Sequence, residues 1–269
     1  MTTSLPPVFD EWLTQLEARH LADLRVPEVT RALRALSSAY VERRHKVSAG
    51  ATLDSAGKRA AFALFYAPLH FLATLHVVQA LAATEGSIRS IVDLGCGTGA
   101  AGAAWAVACG GAPAVVGVDR HPWVVEEARW TYRQLHVNGH ARHGDLARIA
   151  TTASGSAVVA AYVLNELPDL SRAHVEIKLM EAAAAGTRVL VLEPIARAVT
   201  PWWDATAGRV RAGGGRADEW RIPVELPPIL RLLDRAAGLD HRELKLRSLY
   251  MPAGFRRERT PRGPKAGPR

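Results

Sequence analysis

Apolar residues recur along this chain with two different periods, and the change of period divides it. Residues 1–85 show helical spacing and no strand signal. Asp10 can cap a first helix whose apolar side holds Trp12, Leu13, Leu16 and Leu24. Pro27 opens a second over 28–44, with Val29, Leu33, Leu36 and Tyr40 one turn apart. Gly50 breaks the chain. A third helical stretch starts at Asp54 or Ser55, bends or restarts at Pro68 and runs to about 83. Its residues Phe62, Phe65, Leu69, Leu72, Leu75 and Val78 read as core, with Tyr66, His70 and His76 as polar exceptions.

From residue 90 short apolar runs alternate with helical segments. Strands are expected at 90–94, 114–119, 141–145, 157–164 and 187–193. Helices are expected at 100–108, 122–136 and 171–185. Apolar strands separated by helices, the third of them (ARHGD) short and weak, imply a doubly wound, mostly parallel α/β sheet. Residues 194–226 break this rhythm: they hold Trp202, Trp203 and Trp220 around Gly213-Gly214-Gly215, and read as a mobile insertion or lid. A helix from Pro227 or Pro228 to about 237 and a late strand over 241–250 complete the pattern. The expected organisation is a helical cap over 1–85, an α/β domain over 86–253 and a disordered basic tail over 254–269.

Charge changes this picture little. The net charge is +8, of which residues 254–269 contribute +5. That tail is open to two readings, a solvated end or a nucleic-acid contact. The positive charge is nearly all Arg in an Ala- and Gly-rich chain, a skew that base composition of a genome can also produce. The two cysteines, Cys96 and Cys109, make neither a disulfide framework nor a four-cysteine metal site, so a reducing cytoplasm is expected. No signal peptide is visible and no uninterrupted apolar run is long enough to cross a bilayer, so no membrane partner is expected. His136, His140 and His143 have metal-like spacing, but Asn138-Gly139 breaks any helix between them, and no metal is expected.

The chemistry sits at 90–105, SIVDLGCGTGAAGAAW: strand, glycine loop, helix. Such a loop lets a ligand approach the backbone beside the unpaired N–H groups of a helix start. Two templates overlap in it. Gly97, Gly99 and Gly102 fit GxGxxG, a dinucleotide fingerprint; Asp93, Gly95, Gly97 and Gly99 fit DxGxGxG. Asp119, ending the second strand, suits a ribose in either case.

The second template resembles motif I of class I S-adenosylmethionine-dependent methyltransferases. Gly144-Asp145 at the end of the third strand and Asn165-Glu166-Leu167-Pro168-Asp169 after the fourth are similar to their adenine-side and methyl-side segments. The resemblance spans about 88–250 and implies a Rossmann-like sheet with S-adenosyl-L-methionine as cofactor. It implies a donor site of Asp93, Gly95, Gly97 and Gly99 toward the methionine end, Asp119 and Arg120 by the ribose, and Asp145 and Leu146 by the adenine. More narrowly, FYAPLHFLATLHVVQAL, VDLGCGTG, AAYVLNELPD and VLVLEP resemble the methyltransferase-like family tied to the small ribosomal subunit, without that family's cysteine set.

Methyl transfer asks the protein to align an acceptor and exclude water. A base is needed only where the acceptor must lose a proton. Glu166 is the expected base, Asn165 an orienting group, and Glu193 a second acid at the same sheet edge. Tyr66, His70, Trp202 and Trp203 are the expected acceptor contacts. Three acceptor readings stand: RNA or a ribosomal particle, held by the basic tail; a small molecule, in a closed apolar pocket; or no acceptor, in an assembly factor that only binds donor. A nicotinamide-dependent oxidoreductase remains a fourth reading of the glycine loop.

Overall fold

The computed structural model describes residues 5–42, 53–146 and 155–256. The break at Gly50 and the tail beyond 256 lie outside the described residues. Seven strands form one sheet: β1 (Ser90–Leu94), β2 (Ala114–Asp119), β3 (Gly139–His143), β4 (Ser156–Ala161), β5 (Arg188–Pro194), β6 (Arg216–Pro223) and β7 (Glu243–Met251). Their order is β3-β2-β1-β4-β5-β7-β6. The first five are parallel, while β7 runs antiparallel to both β5 and β6. The order reverses between β1 and β4. There the chain leaves neighbouring strands toward opposite faces and opens a crevice at their carboxyl ends.

The helices in chain order are α1 (Pro7–His20), α2 (Val26–Glu42), α3 (Ala56–Ala61), α4 (Ala67–Ala80), α5 (Ala100–Ala108), α6 (Pro122–Gln134), α7 (Asp169–Ala184), α8 (Trp203–Ala212) and α9 (Pro228–Ala236). One sheet face packs on α5, α6 and α9 together with the N-terminal helices, in a single core holding Trp12, Phe71, Trp105 and Tyr132. The other face packs on α7 and α8. The N-terminal layer therefore shares the core of the sheet. Phe9, Trp12 and Phe71 meet at ring-centroid distances of 5.2–5.9 Å, locking α1 onto α4. Buried Glu127 of α6 adds a polar tie to α1, accepting from His20 at 2.7 Å and from the Arg19 guanidinium at 3.1 Å.

The third helical stretch is continuous through residue 80, but it is not a plain α-helix. Residues Phe62–Tyr66 form a wide π turn, with Ala67 N–H donating to the Phe62 carbonyl five residues back. Pro68 lacks an N–H and cannot serve the carbonyl four residues before it; the wider turn absorbs that missing donor where a bend at Pro68 itself is expected from sequence. The run Ala56–Ala80 has the length and mean hydropathy, 1.6, of a membrane span. Inside this protein 78% of its most apolar window is buried, which makes it the central helix of the core.

The segment 194–226 also differs from expectation. It contains α8 and β6, and β6 pairs with β7 along eight residues from Arg216↔Tyr250 to Pro223↔Glu243. Trp202 and Trp203 are buried in the second core, under the Arg172 and Arg247 guanidinium groups at 5.5 and 5.6 Å. Buried Glu176 of α7 accepts from Thr206 at 2.8 Å and from Arg209 at 2.7 Å, fixing α8 to α7. Burial and pairing thus make this stretch a sheet edge and its covering helix, where a mobile insertion is expected from its glycines.

Trp12→Ala should cost about 3–5 kcal/mol, the range for emptying a large aromatic core position. Because the helical layer and sheet share one core, circular dichroism and tryptophan fluorescence should report one coincident, shifted unfolding transition.

Candidate functional site

The crevice at the β1/β4 reversal is a cavity of about 420 Å³. Its floor is the glycine loop. Gly95 (φ +62°) must be glycine on two counts, since a Cβ there would lie 2.3 Å from Val163 Cγ2. Gly97 (φ +50°) faces the opposite wall, where a Cβ would approach the Phe62 ring at 3.6 Å. Gly99 turns into α5, whose first residues Ala100 and Ala101 line the cavity.

Asp93 is 1% exposed and lines the cavity, and its Oδ2 accepts from Gly102 N–H at 2.8 Å inside α5. It thus caps the helix after the loop as well as facing the site. Burial raises its carboxyl to about 7, against the opposing pull of the Gly102 N–H. Asp119 binds the loop from the next strand: its two oxygens accept from Gly97 N–H at 3.0 Å and His121 N–H at 2.9 Å. His121, which sequence reasoning did not single out, lines the cavity, and its buried Nδ1 has no partner among the described residues.

The far wall is built on β4 and β5. The strand ends one residue before Tyr162, which takes φ +58°, a conformation costly for a bulky side chain. The Tyr162 N–H donates to the Leu192 carbonyl at 2.7 Å and its ring stacks on His70 at 4.2 Å. A 3₁₀ turn, Leu164–Glu166, comes next. Fully buried Glu193 organises it, Oε1 accepting from Leu164 N–H at 2.9 Å and Asn165 N–H at 3.3 Å, and Oε2 from Asn165 Nδ2 at 2.6 Å. Burial lifts the Glu193 carboxyl to about 8, held from rising further by those donors. Burial also drops His70 to about 4, so its imidazole is neutral near pH 7.

Of the residues singled out from sequence, Asp93, Gly95, Gly97, Asp119, Asn165, Glu166, Tyr66 and His70 line this one cavity. Gly99 backs onto Tyr132 of α6 instead. Arg120 is exposed and outside the cavity, the neighbouring place being taken by His121. Asp145 is exposed and Leu146 is buried in the second core; neither lines the cavity, and the segment after them lies outside the described residues. Trp202 and Trp203 are spent on the core of the opposite face and are not acceptor contacts in this structure. Tyr162 and His241 were missed because backbone conformation and tertiary placement, which carry no local sequence signal, bring them here.

Loop, strand-end acids and crevice fit more than one nucleotide; comparison with known proteins separates them. Residues 91–182 match the family model described as a methyltransferase domain. The segment 91–182 is a methyltransferase domain. The matching model is that of the general domain, not of the ribosome-associated family. No curated protein matches the chain. Among solved structures, a candidate O-methyltransferase from Nostoc punctiforme is similar in fold, with a TM-score of 0.51 and 16% identity over 87% of this chain and 71% of that one. Magnesium protoporphyrin IX methyltransferase from Synechocystis, with bound S-adenosylmethionine, gives 0.44 and 16% over 85% of this chain and 97% of its own. N-methyltransferase NodS from Bradyrhizobium japonicum gives 0.45 and 14% over 66% and 85%.

Glu193 carries a pH signature. A carboxyl raised from 4.5 to about 8 in the fold favours the native state below pH 4.5 and loses that contribution as pH rises through 8. Glu193→Gln keeps an acceptor for the Leu164 and Asn165 N–H groups but does not titrate. Its thermal midpoint should therefore fall less than the wild type's between those pH values, with the remaining slope belonging partly to Asp93.

Proposed function

We propose that this methyltransferase domain transfers a methyl group from S-adenosylmethionine to a small, largely apolar acceptor. The observation that carries the reading is the continuity of the cavity: the glycine loop forms one end, and Phe62, Phe65, Tyr66, His70 and Tyr162 form the other. Aromatic walls suit a flat organic acceptor. Among the described residues the lining contains one Lys or Arg side chain, Lys245, and Glu243 neutralises it at 3.1 Å. A phosphate backbone asks for several unpaired cations, so the cavity favours the small acceptor over RNA.

The residues present fit the donor. The buried Nδ1 of half-buried His121, without a partner among the described residues, stands ready for a polar ligand atom, and the side-chain-free face of Gly97 leaves a cradle against Phe62. Asp119 would receive the ribose hydroxyls beside Gly97. The loop backbone and Asp93 would hold the methionine end, where an acid matches an amino group. When bound, S-adenosylmethionine supplies a methyl carbon activated by sulfonium. The protein's part is alignment and exclusion of water. Glu193 presents Asn165 at the β4 edge, Tyr162 and His70 form a flat stacked wall, and Tyr66 is steadied by Ser37 at 3.0 Å.

Calorimetry with S-adenosylhomocysteine should show binding that NADH does not reproduce. Asp119→Asn should weaken it by about 10–100-fold, the scale of a lost charge-assisted hydrogen bond. Label from the methyl group of S-adenosylmethionine, incubated with a lysate and then fractionated, should enter small molecules. Label confined to RNA or protein would refute the small-acceptor reading.

A further inference from the structure

The cavity has a feature that the donor site does not use. His241 lies just before β7, and β7 runs antiparallel to β5, so its start meets the carboxyl end of β5 at the pairing Pro194↔Leu246. This brings a residue from far along the chain to the crevice edge, and His241 lines the cavity. Asp234, at the end of α9 and 4% exposed, holds it twice: Oδ2 accepts from the His241 N–H at 2.9 Å, and Oδ1 meets Nδ1 at 2.5 Å. The imidazole packs edge-on against Phe65, with centroids 5.7 Å apart. Nδ1 is thereby committed, and Nε2 has no partner among the described residues. The side chain is 34% exposed, which leaves a route for a proton to solvent.

We propose that His241 is the general base at the acceptor end, with Asp234 as its positioning residue, and that the acceptor is an aromatic or enolic hydroxyl compound. The proposal rests on the methyltransferase reading above. An amine attacks through a free lone pair and a carboxylate is already ionised, whereas a hydroxyl must shed a proton to become a good nucleophile. Imidazole works best near neutral pH, which suits a phenol or enol rather than an aliphatic alcohol. The aromatic wall fits the same class. His70 is the other imidazole on this wall, and its burial among rings makes it a poor proton acceptor. Glu243 and Lys245 on β7 pair with each other, and flanking Asp240 pairs with Arg242, leaving Asp234 as the acid on His241.

In the step, the acceptor O–H proton passes to Nε2 and its electron pair stays on oxygen. An oxygen lone pair forms the bond to the methyl carbon. The carbon–sulfur pair returns to sulfur, which leaves as the neutral thioether S-adenosylhomocysteine. The imidazolium, paired with Asp234, then loses its proton to solvent through its exposed side.

The test titrates 4-nitrophenol, whose anion is coloured, into the full-length protein without donor, at about pH 6, where the free phenol is mostly protonated. Wild type should bind it and raise the anion absorbance. His241→Gln should bind it with the absorbance left at the solution value, and Asp234→Asn should fall between. In a second arm with S-adenosylmethionine, His241→Gln should lose on the order of 100-fold or more in transfer to phenol, and much less to the more acidic 4-nitrophenol. Nitrogen-15 NMR of wild type at about pH 8.5 should find His241 protonated on Nδ1 and bare on Nε2. No phenol binding by wild type, an equal anion fraction in His241→Gln, a loss uniform across the two phenols, or a proton on Nε2 would each overturn the proposal. S-adenosylhomocysteine binding is measured in the same samples: its absence in wild type would strike the donor reading, whereas its presence with any of those results strikes the dyad alone.

Discussion

The site exists because two neighbouring parallel strands must part company. β1 and β4 lie side by side, yet the chain leaves β1 toward α5 on one face and β4 toward α7 on the other. Neither departing loop can cover the gap, and the gap is the crevice. The parting is tight at its root, where Gly95 leaves no room for a Cβ beside Val163. Once parted, the two divergent loops must be held still. Asp93 and Asp119 grip one from below, and Glu193 grips the other from β5.

That task falls to buried acids, at an electrostatic cost. A carboxylate away from water is expensive unless N–H groups surround it. Asp93 and Glu193 meet that condition only in part, and burial raises both. Their positions make sense as loop anchors close to a polar ligand, where a short acid reaches main-chain N–H groups that no neutral side chain would hold as firmly. The expected orienting residue, Asn165, is itself positioned by one of them.

Sequence made the parallel core and donor loop legible for a physical reason. Strands covered on both faces are uniformly apolar, and a glycine loop between such a strand and an Ala-rich helix has few alternatives. It failed where burial is one-sided or local rules are overridden. β6, RADEWRIP, is an edge strand with charges facing water, and the glycines before it suggest a loop. Trp202 and Trp203 look like contacts until a second core claims them. His241 and Asp234 are only seven residues apart, but they meet across a helix end and a turn after Gly238, a geometry that spacing alone does not encode. Tyr162 owes its place to a left-handed backbone, which nothing in its side chain announces.

The wide turn over Phe62–Tyr66 sets the helical phase of the aromatic wall. The helix beyond it is locked in the core, and the glycine loop is locked by acids. The turn, however, stores one residue more than a regular helix needs. Losing that residue would rotate everything before it by about 100° relative to α4, carrying Phe62 off the cavity and breaking the buried packing of Ala60 and Ala61 as well. The phase of that one turn therefore ties the shape of the cavity's aromatic end to the packing of the helical layer, and neither changes without the other.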